Sequence, residues 1–130
     1  MKSTTKLATI CTLLTVWFSG CSNNKYQNLS AEEFSKAITE PNTIIVDVRT
    51  PEEYNEGHIA GAKNIDVKSC TFIDKAEETI GKTQTIAVYC RSGKRSANAA
   101  SILAEHGYKK IINLKGGIIE WQEAQKAVEK

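Results

Sequence analysis

The chain has 130 residues, enough for one domain, with 41% hydrophobic and 25% charged residues. Its formal charge of +2 comes from Lys2 and Lys6; residues 21–130 carry fifteen basic and fifteen acidic side chains, a balanced exterior. With no basic stripe interleaved with aromatics, no nucleic-acid partner is expected; two separated histidines without a Cys-x-x-Cys pair offer no metal set, and no cofactor is expected.

Residues 1–20 stand apart from any fold. Lys2 and Lys6 form a positive start, and Leu7 to Phe18 form an apolar stretch too short for a confident membrane span. Ser19 and Gly20 then precede Cys21. This pattern resembles a bacterial lipoprotein signal, with Phe18 standing where leucine is usual. It implies cleavage before Cys21, lipid on that cysteine, export, and a membrane as one partner. The alternative is an uncleaved N-terminal anchor. Residues 21–25 form the lipidated end and a short polar spacer, leaving 26–130 as the domain. Cys11 departs with the signal and Cys21 is modified, so Cys70 and Cys90 remain. A chain of this size needs no disulfide staple. Cys70 reads either as a partly buried inert thiol or as a resolving partner for Cys90.

From Tyr26 to Leu29 the pattern predicts a short edge strand. Ser30 and Glu33 have the spacing of a capping box, followed by the apolar face Phe34, Ala37, Ile38 of a helix. Thr43 to Val48 is a continuous β-branched run, suited to a strand covered on both faces. Thr50 and Pro51 open a short helix. Gly57 to Gly61 is a loop, Ala62 to Ile65 a brief strand, and Phe72 to Ile80 a helix stopped by Gly81. A second apolar run, Thr85 to Tyr89, enters a polar turn, and a small-residue helix follows from about Ser96 to the exit at Gly107. Lys110 to Leu114 is the last strand. Gly116 and Gly117 lead into an amphipathic helix carrying Ile118, Trp121, Ala124 and Val128. Alternating strands and helices predict a doubly wound α/β sandwich: a mostly parallel five-stranded sheet with helices on both faces.

In such sheets the site lies beyond the carboxyl ends of the strands. Two ends converge there, Asp47-Val48-Arg49 and Cys90. Only three arginines occur in the chain, and two of them, Arg91 and Arg95, lie in the turn Cys90-Arg91-Ser92-Gly93-Lys94-Arg95-Ser96. A thiol is a nucleophile as thiolate, and nearby cations or a helix start lower its pKa. Inward-facing amides from Arg91 to Ser96 would form an anion-binding concavity if Gly93 adopts a conformation that excludes a Cβ. Cys90 is therefore the expected nucleophile. Arg91 and Lys94 either hold an anionic substrate or simply face solvent. Arg95 either binds that anion or pairs with an acid and holds the loop. Asp47, too costly to bury alone, is expected to support the site through bonds to loop groups, with Arg49 beside it. His58 belongs to the loop away from Cys90, and His106 is expected to be exposed.

The turn resembles the nucleophile loop of the rhodanese family of sulfurtransferases. So do three other stretches in the same order: Ile44 to Arg49; Glu53 to Asn64, with Ala60 where proline is usual; and Asn113 to Trp121. The resemblance spans roughly Tyr26 to Ala127. It implies a Cys90 persulfide that takes sulfane sulfur from thiosulfate or a persulfide donor and yields it to a thiol or cyanide acceptor. An exported reactive thiol must be kept reduced, which makes a thiol-redox protein a candidate partner, and the non-enzymatic alternative is a persulfide carrier or sensor without turnover. Cysteine phosphatases and arsenate reductases, some of which share the fold, are the competing class. A Cys-x5-Arg phosphatase loop would need arginine at residue 96, where Ser96 stands; Arg95 gives Cys-x4-Arg.

Overall fold

The computed structural model describes residues 25–130. The signal-like segment and Cys21 lie outside the described residues. Ten elements alternate along the chain: β1 (Gln27–Leu29), α1 (Ala31–Ala37), β2 (Thr43–Asp47), α2 (Pro51–Glu56), β3 (Lys63–Asn64), α3 (Phe72–Thr79), β4 (Thr85–Tyr89), α4 (Lys94–Glu105), β5 (Lys110–Leu114) and α5 (Gly117–Glu123). The strands form one sheet in the order β1-β5-β4-β2-β3, and every pairing is parallel. The expected mostly parallel sheet is thus wholly parallel, with all five carboxyl ends at one pole.

Strand periodicity divides the core into two layers. On one face Val46, Ile86, Val88 and Cys90 pack with Phe72 and Ala76 of α3 and with Ala99, Ala100 and Leu103 of α4. On the other, Ala87, Tyr89, Ile112 and Leu114 pack with Ala31 and Phe34 of α1 and with Ile118 and Trp121 of α5. The alanines let α4 approach β4 and β5 closely. Phe34 meets Trp121 edge-on, with ring centroids 6.1 Å apart.

The helix starts follow from local chemistry. Ser30 and Thr50 each accept the amide three residues on, from Glu33 and Glu53, whose carboxylates reach back to the cap amides. Each capping box satisfies donors that a helix start leaves unpaired. The final helix is shorter than its sequence pattern suggests. It ends at Glu123, because Gln125 turns left-handed (φ 63°) and the Lys126 amide closes on the Trp121 carbonyl at 3.1 Å. Val128 therefore lies outside the helix, in a tail segment that returns beside Gly57. There His58 and Glu129 exchange backbone hydrogen bonds of 2.8 Å each, and the Trp121 indole donates to the Ala127 carbonyl at 3.0 Å.

Candidate active site

At the carboxyl pole, β4 delivers Cys90 directly into a tight turn that becomes α4. The strand's alternation turns Tyr89 and Cys90 to opposite faces. Cys90 is only 1% exposed, yet its sulfur is surrounded by donors. The Gly93 amide points at Sγ from 3.1 Å and the Ser96 amide from 3.3 Å, while Ser96 Oγ lies 3.4 Å away. Burial works against ionisation of this thiol. Hydrogen bonds from the Ser96 hydroxyl, the Ser96 and Gly93 amides and the Ser92 amide outweigh it, and the thiol titrates below its ordinary value. The donors nearest the sulfur are thus neutral dipoles rather than cations.

The turn's curvature is imposed by backbone packing. Gly93 has φ of 99°, and a Cβ there would sit 1.9 Å from the Lys115 carbonyl oxygen. Gly117 has φ of 68°, and its Cβ would sit 2.1 Å from the Arg91 carbonyl oxygen. Only glycine permits both close approaches. They bring the start of α5 beneath the turn, where the Ile118 amide donates to the Cys90 carbonyl at 2.9 Å and the Ile119 amide to that of Arg91 at 3.2 Å. The closing Lys115-Gly116-Gly117 stretch thus supports the nucleophile loop from below.

The remaining turn residues divide by exposure. Arg91, Ser92 and Lys94 face solvent, whereas Ser96 is fully buried. Arg95 bends away into a bidentate pair with Glu53, Nη1 to Oε1 at 2.8 Å and Nη2 to Oε2 at 2.9 Å. This is the acid-paired arrangement, and the acid comes from α2. Glu53 Oε1 also accepts from the Thr50 amide at 3.0 Å. The hydrogen bond from Arg95, with help from Thr50, holds Glu53 at about 2. Glu53 drew notice in the sequence only as part of a motif. Its partner lies 42 residues away.

Asp47 and Arg49 sit beside the nucleophile strand without touching Cys90 in any hydrogen bond. The fully buried Asp47 carboxylate accepts from Arg49 Nη2 at 2.6 Å, from Arg49 Nε at 2.9 Å, and from the Tyr89 hydroxyl at 2.8 Å. Arg49 also donates to the Gly57 carbonyl at 2.7 Å, and the Tyr89 oxygen accepts the Ile59 amide at 3.0 Å. Burial and the facing Asp47 carboxylate push the Tyr89 phenol strongly upward, so it stays a donor. The network ties the ends of β2 and β4 to the Gly57–Ile59 loop. Tyr89 is its central member, a role concealed in the sequence by an ordinary apolar run.

The other candidates fall elsewhere. His58 is buried against Tyr54, ring on ring at 3.7 Å, in the loop away from the thiol, and His106 is exposed. Cys70, expected to be partly buried, is instead exposed. It occupies the turn before α3, where Phe72 takes the inward position.

Comparison with known proteins agrees with this geometry. The family model for the Rhodanese-like domain matches residues 30–124. A sulfurtransferase of Allochromatium vinosum is 34% identical over 94 residues, covering 72% of this chain and 85% of that protein. The tRNA uridine(34) hydroxylase of Pelagibacter ubique is 32% identical over 99 residues, 76% of this chain, but the chain spans only 33% of that protein's length. Among solved structures, the rhodanese-related protein from Thermoplasma volcanium superposes with a TM-score of 0.69 at 29% identity, covering 80% of this chain and 98% of that one. Fold and sequence agree: the chain belongs to the rhodanese-like domain family, whose members include sulfurtransferases.

Proposed function

We propose that this chain is a sulfurtransferase that carries sulfane sulfur from thiosulfate or a persulfide donor to a thiol or cyanide acceptor on Cys90. The observation that carries this reading is the convergence of the Gly93 and Ser96 donors on Sγ. The donors around Sγ lower the thiol pKa and so favour the thiolate, the form that attacks. The thiolate attacks the outer sulfur of thiosulfate; a Cys90 S–S bond forms, the donor S–S bond breaks, and sulfite leaves with the bonding pair. Charge is conserved, because the monoanionic thiolate becomes a monoanionic persulfide. Cyanide or an acceptor thiolate then takes the terminal sulfur and restores the Cys90 thiolate, giving a ping-pong cycle. Amides held at the sulfur by the turn can stabilise the negative charge of the thiolate and of the persulfide that replaces it. Arg91 and Lys94, both exposed, are the cations we assign to the oxygens of an anionic donor.

The phosphatase alternative wants an arginine on a tetrahedral anion, and here Arg95 is engaged by Glu53. One experiment decides between the classes. Incubation with thiosulfate should add the mass of one sulfur atom to Cys90, and cyanide should remove it with multiple turnovers. Cys90→Ser should take up none. Hydrolysis of a phosphate ester without sulfur uptake would refute the proposal, and sulfur uptake without turnover would identify a carrier.

We also read Cys21 as a lipidated N-terminus that tethers the domain to a bacterial membrane after export. The position of β1 supports a productive orientation. The chain enters β1 at the amino pole of the sheet, and Lys25 pairs at 3.6 Å with Glu105, at the end of α4 remote from Cys90. A tether there leaves the thiol facing aqueous donors, acceptors and any reducing thiol protein. Cys21→Ala should release the protein from the membrane fraction or leave it unprocessed. A mature N-terminus other than Cys21 would refute this reading.

A further inference from the structure

We propose that Glu53 is a specificity-determining residue: by holding Arg95 in a bidentate ion pair, it withholds that cation from anions bound over Cys90. The inference rests on the proposed use of the turn as an anion cradle, though not on sulfur transfer itself.

Three observations support it. First, both guanidinium Nη atoms of Arg95 are committed to Glu53, at 2.8 and 2.9 Å, in a fork that fits carboxylate geometry. The pair therefore presents almost no net charge to the cradle, although Arg95 belongs to the turn. Second, the turn has supports other than this ion pair. Gly93 is seated against Lys115, the Ile118 and Ile119 amides hold the Cys90 and Arg91 carbonyls, and Ser96 Oγ reaches the Gly93 carbonyl at 3.2 Å. With the curvature supported by these other contacts, a carboxylate bidentate to the loop's partly buried cation is placed to act through charge. Third, Glu53 is itself fixed by the Thr50 amide at 3.0 Å and the Thr50 hydroxyl at 3.1 Å. Helix α2 thus holds the carboxylate in place, and Arg95 comes to it.

The expected consequence is a site that handles a thiolate and a terminal persulfide by amide donation, with modest affinity for fully oxygenated anions. Sulfate and phosphate, abundant competitors of a sulfur donor, would meet only Arg91 and Lys94 at the exposed rim. Releasing Arg95 would make the cradle an oxyanion site.

The test measures sulfate binding and thiol ionisation without turnover. Alkylation of the Cys90 peptide by iodoacetamide is followed by mass spectrometry in the full chain, across pH and sulfate concentration. Glu53→Gln keeps an oxygen for the Thr50 donors, so the helix start survives. Freed of its counter-charge, Arg95 should let sulfate protect Cys90 at a concentration about three- to tenfold lower, and should shift the alkylation midpoint to lower pH. Arg95→Gln leaves Glu53 uncompensated and should move both readouts the opposite way. The double variant should return close to the original protein. Single variants that shift in the same direction, a double variant that fails to restore, or no shift in Glu53→Gln would overturn the proposal, the first result identifying a mere loop clamp. Absence of a persulfide on Cys90 would refute sulfur transfer while leaving this sign pattern measurable.

Discussion

Removing one hydroxyl tests whether amide and hydroxyl donors, rather than cations, set the thiol's reactivity. Ser96→Ala deletes an Oγ that lies 3.4 Å from Cys90 Sγ and 3.2 Å from the Gly93 carbonyl oxygen. A hydroxyl has one proton and donates to one acceptor at a time. Ionisation of Cys90 turns it toward sulfur and away from the carbonyl. A hydrogen bond to a charged group contributes roughly 1.5–3 kcal/mol, and the neutral bond given up about 1 kcal/mol. The contact to sulfur is long, so the net preference for thiolate is about 1–1.5 kcal/mol. At about 1.4 kcal/mol per unit, the thiol pKa should rise by about one unit. It should not return to the ordinary value, because the Gly93 and Ser96 amides remain at 3.1 and 3.3 Å. The assay is the pH dependence of iodoacetamide alkylation, read on the Cys90 peptide so that exposed Cys70 does not contribute. The midpoint should rise, and the high-pH plateau should increase about threefold, since a more basic thiolate is the better nucleophile. A midpoint that stays in place or falls, in a variant shown by circular dichroism to be folded, would refute the reasoning.

Acidification should expose the stability supplied by the Arg95 pair. The Glu53 pKa lies at about 2 when folded against an ordinary 4.5, so its contribution is complete above 4.5 and is lost as pH falls toward 2. The full shift corresponds to roughly 3 kcal/mol; with the side chain 27% exposed, solvent screening reduces this to about 1–2 kcal/mol. Urea unfolding of the original protein and Glu53→Gln at about pH 5 and about pH 3 should show the acid limb flattened in the variant by about half that amount, since the folded-state pKa lies below the window. Glycine substitutions should separate conformational strain from collision. Gly61 has φ of 84° with open space around it, so Gly61→Ala should cost only about 1 kcal/mol. Gly93→Ala and Gly117→Ala, which would drive a Cβ into carbonyl oxygens at 1.9 and 2.1 Å, should each cost at least about 3 kcal/mol or displace the turn. Thermal unfolding ranks the three, and equal losses would contradict the argument. Cys70→Ser should retain most sulfur transfer. An activity loss equal to that of Cys90→Ser would require a second essential thiol.

Much of the fold was legible because its signals are local. The runs Thr43 to Asp47 and Thr85 to Tyr89 are strands for the reason their composition suggested, being covered on both faces. Ser30 announced a helix start through its spacing from Glu33 and Thr50 through the proline that follows it, and the left-handed Gly93 meets the condition set for the turn. The end of α5 was not legible. Ala124 and Val128 continue its apolar period, but nothing in that period records that Gln125 adopts φ of 63° and sends the tail back to His58. The choice for Arg95 between an acid and an anion was open for a different reason. Glu53 is 42 residues away, and only the packing of α2 beside the turn brings the two together. Exposure of Cys70 likewise depends on which neighbour, here Phe72, takes the inward position at the start of α3.

The end of β4 shows how one strand serves two demands at once. Because alternate side chains face opposite layers, Cys90 presents its sulfur on the α4 side while Tyr89 presents its hydroxyl on the other. Tyr89 donates to Asp47 and accepts from Ile59, fixing β4 against β2 and the following loop one residue before the nucleophile. The backbone that leaves this anchor is then bent by two glycine contacts, each against a carbonyl of the opposing segment. Displacing Cys90 would therefore disturb a buried ion pair on one side and a close-packed turn on the other. That constraint explains how neutral donors can be effective here. Weak dipoles stabilise an anion only when already aimed, since reorientation would consume much of what each supplies. Fixing the strand end and the turn independently lets ordinary hydrogen bonds from neutral donors prevail over burial and lower the thiol pKa.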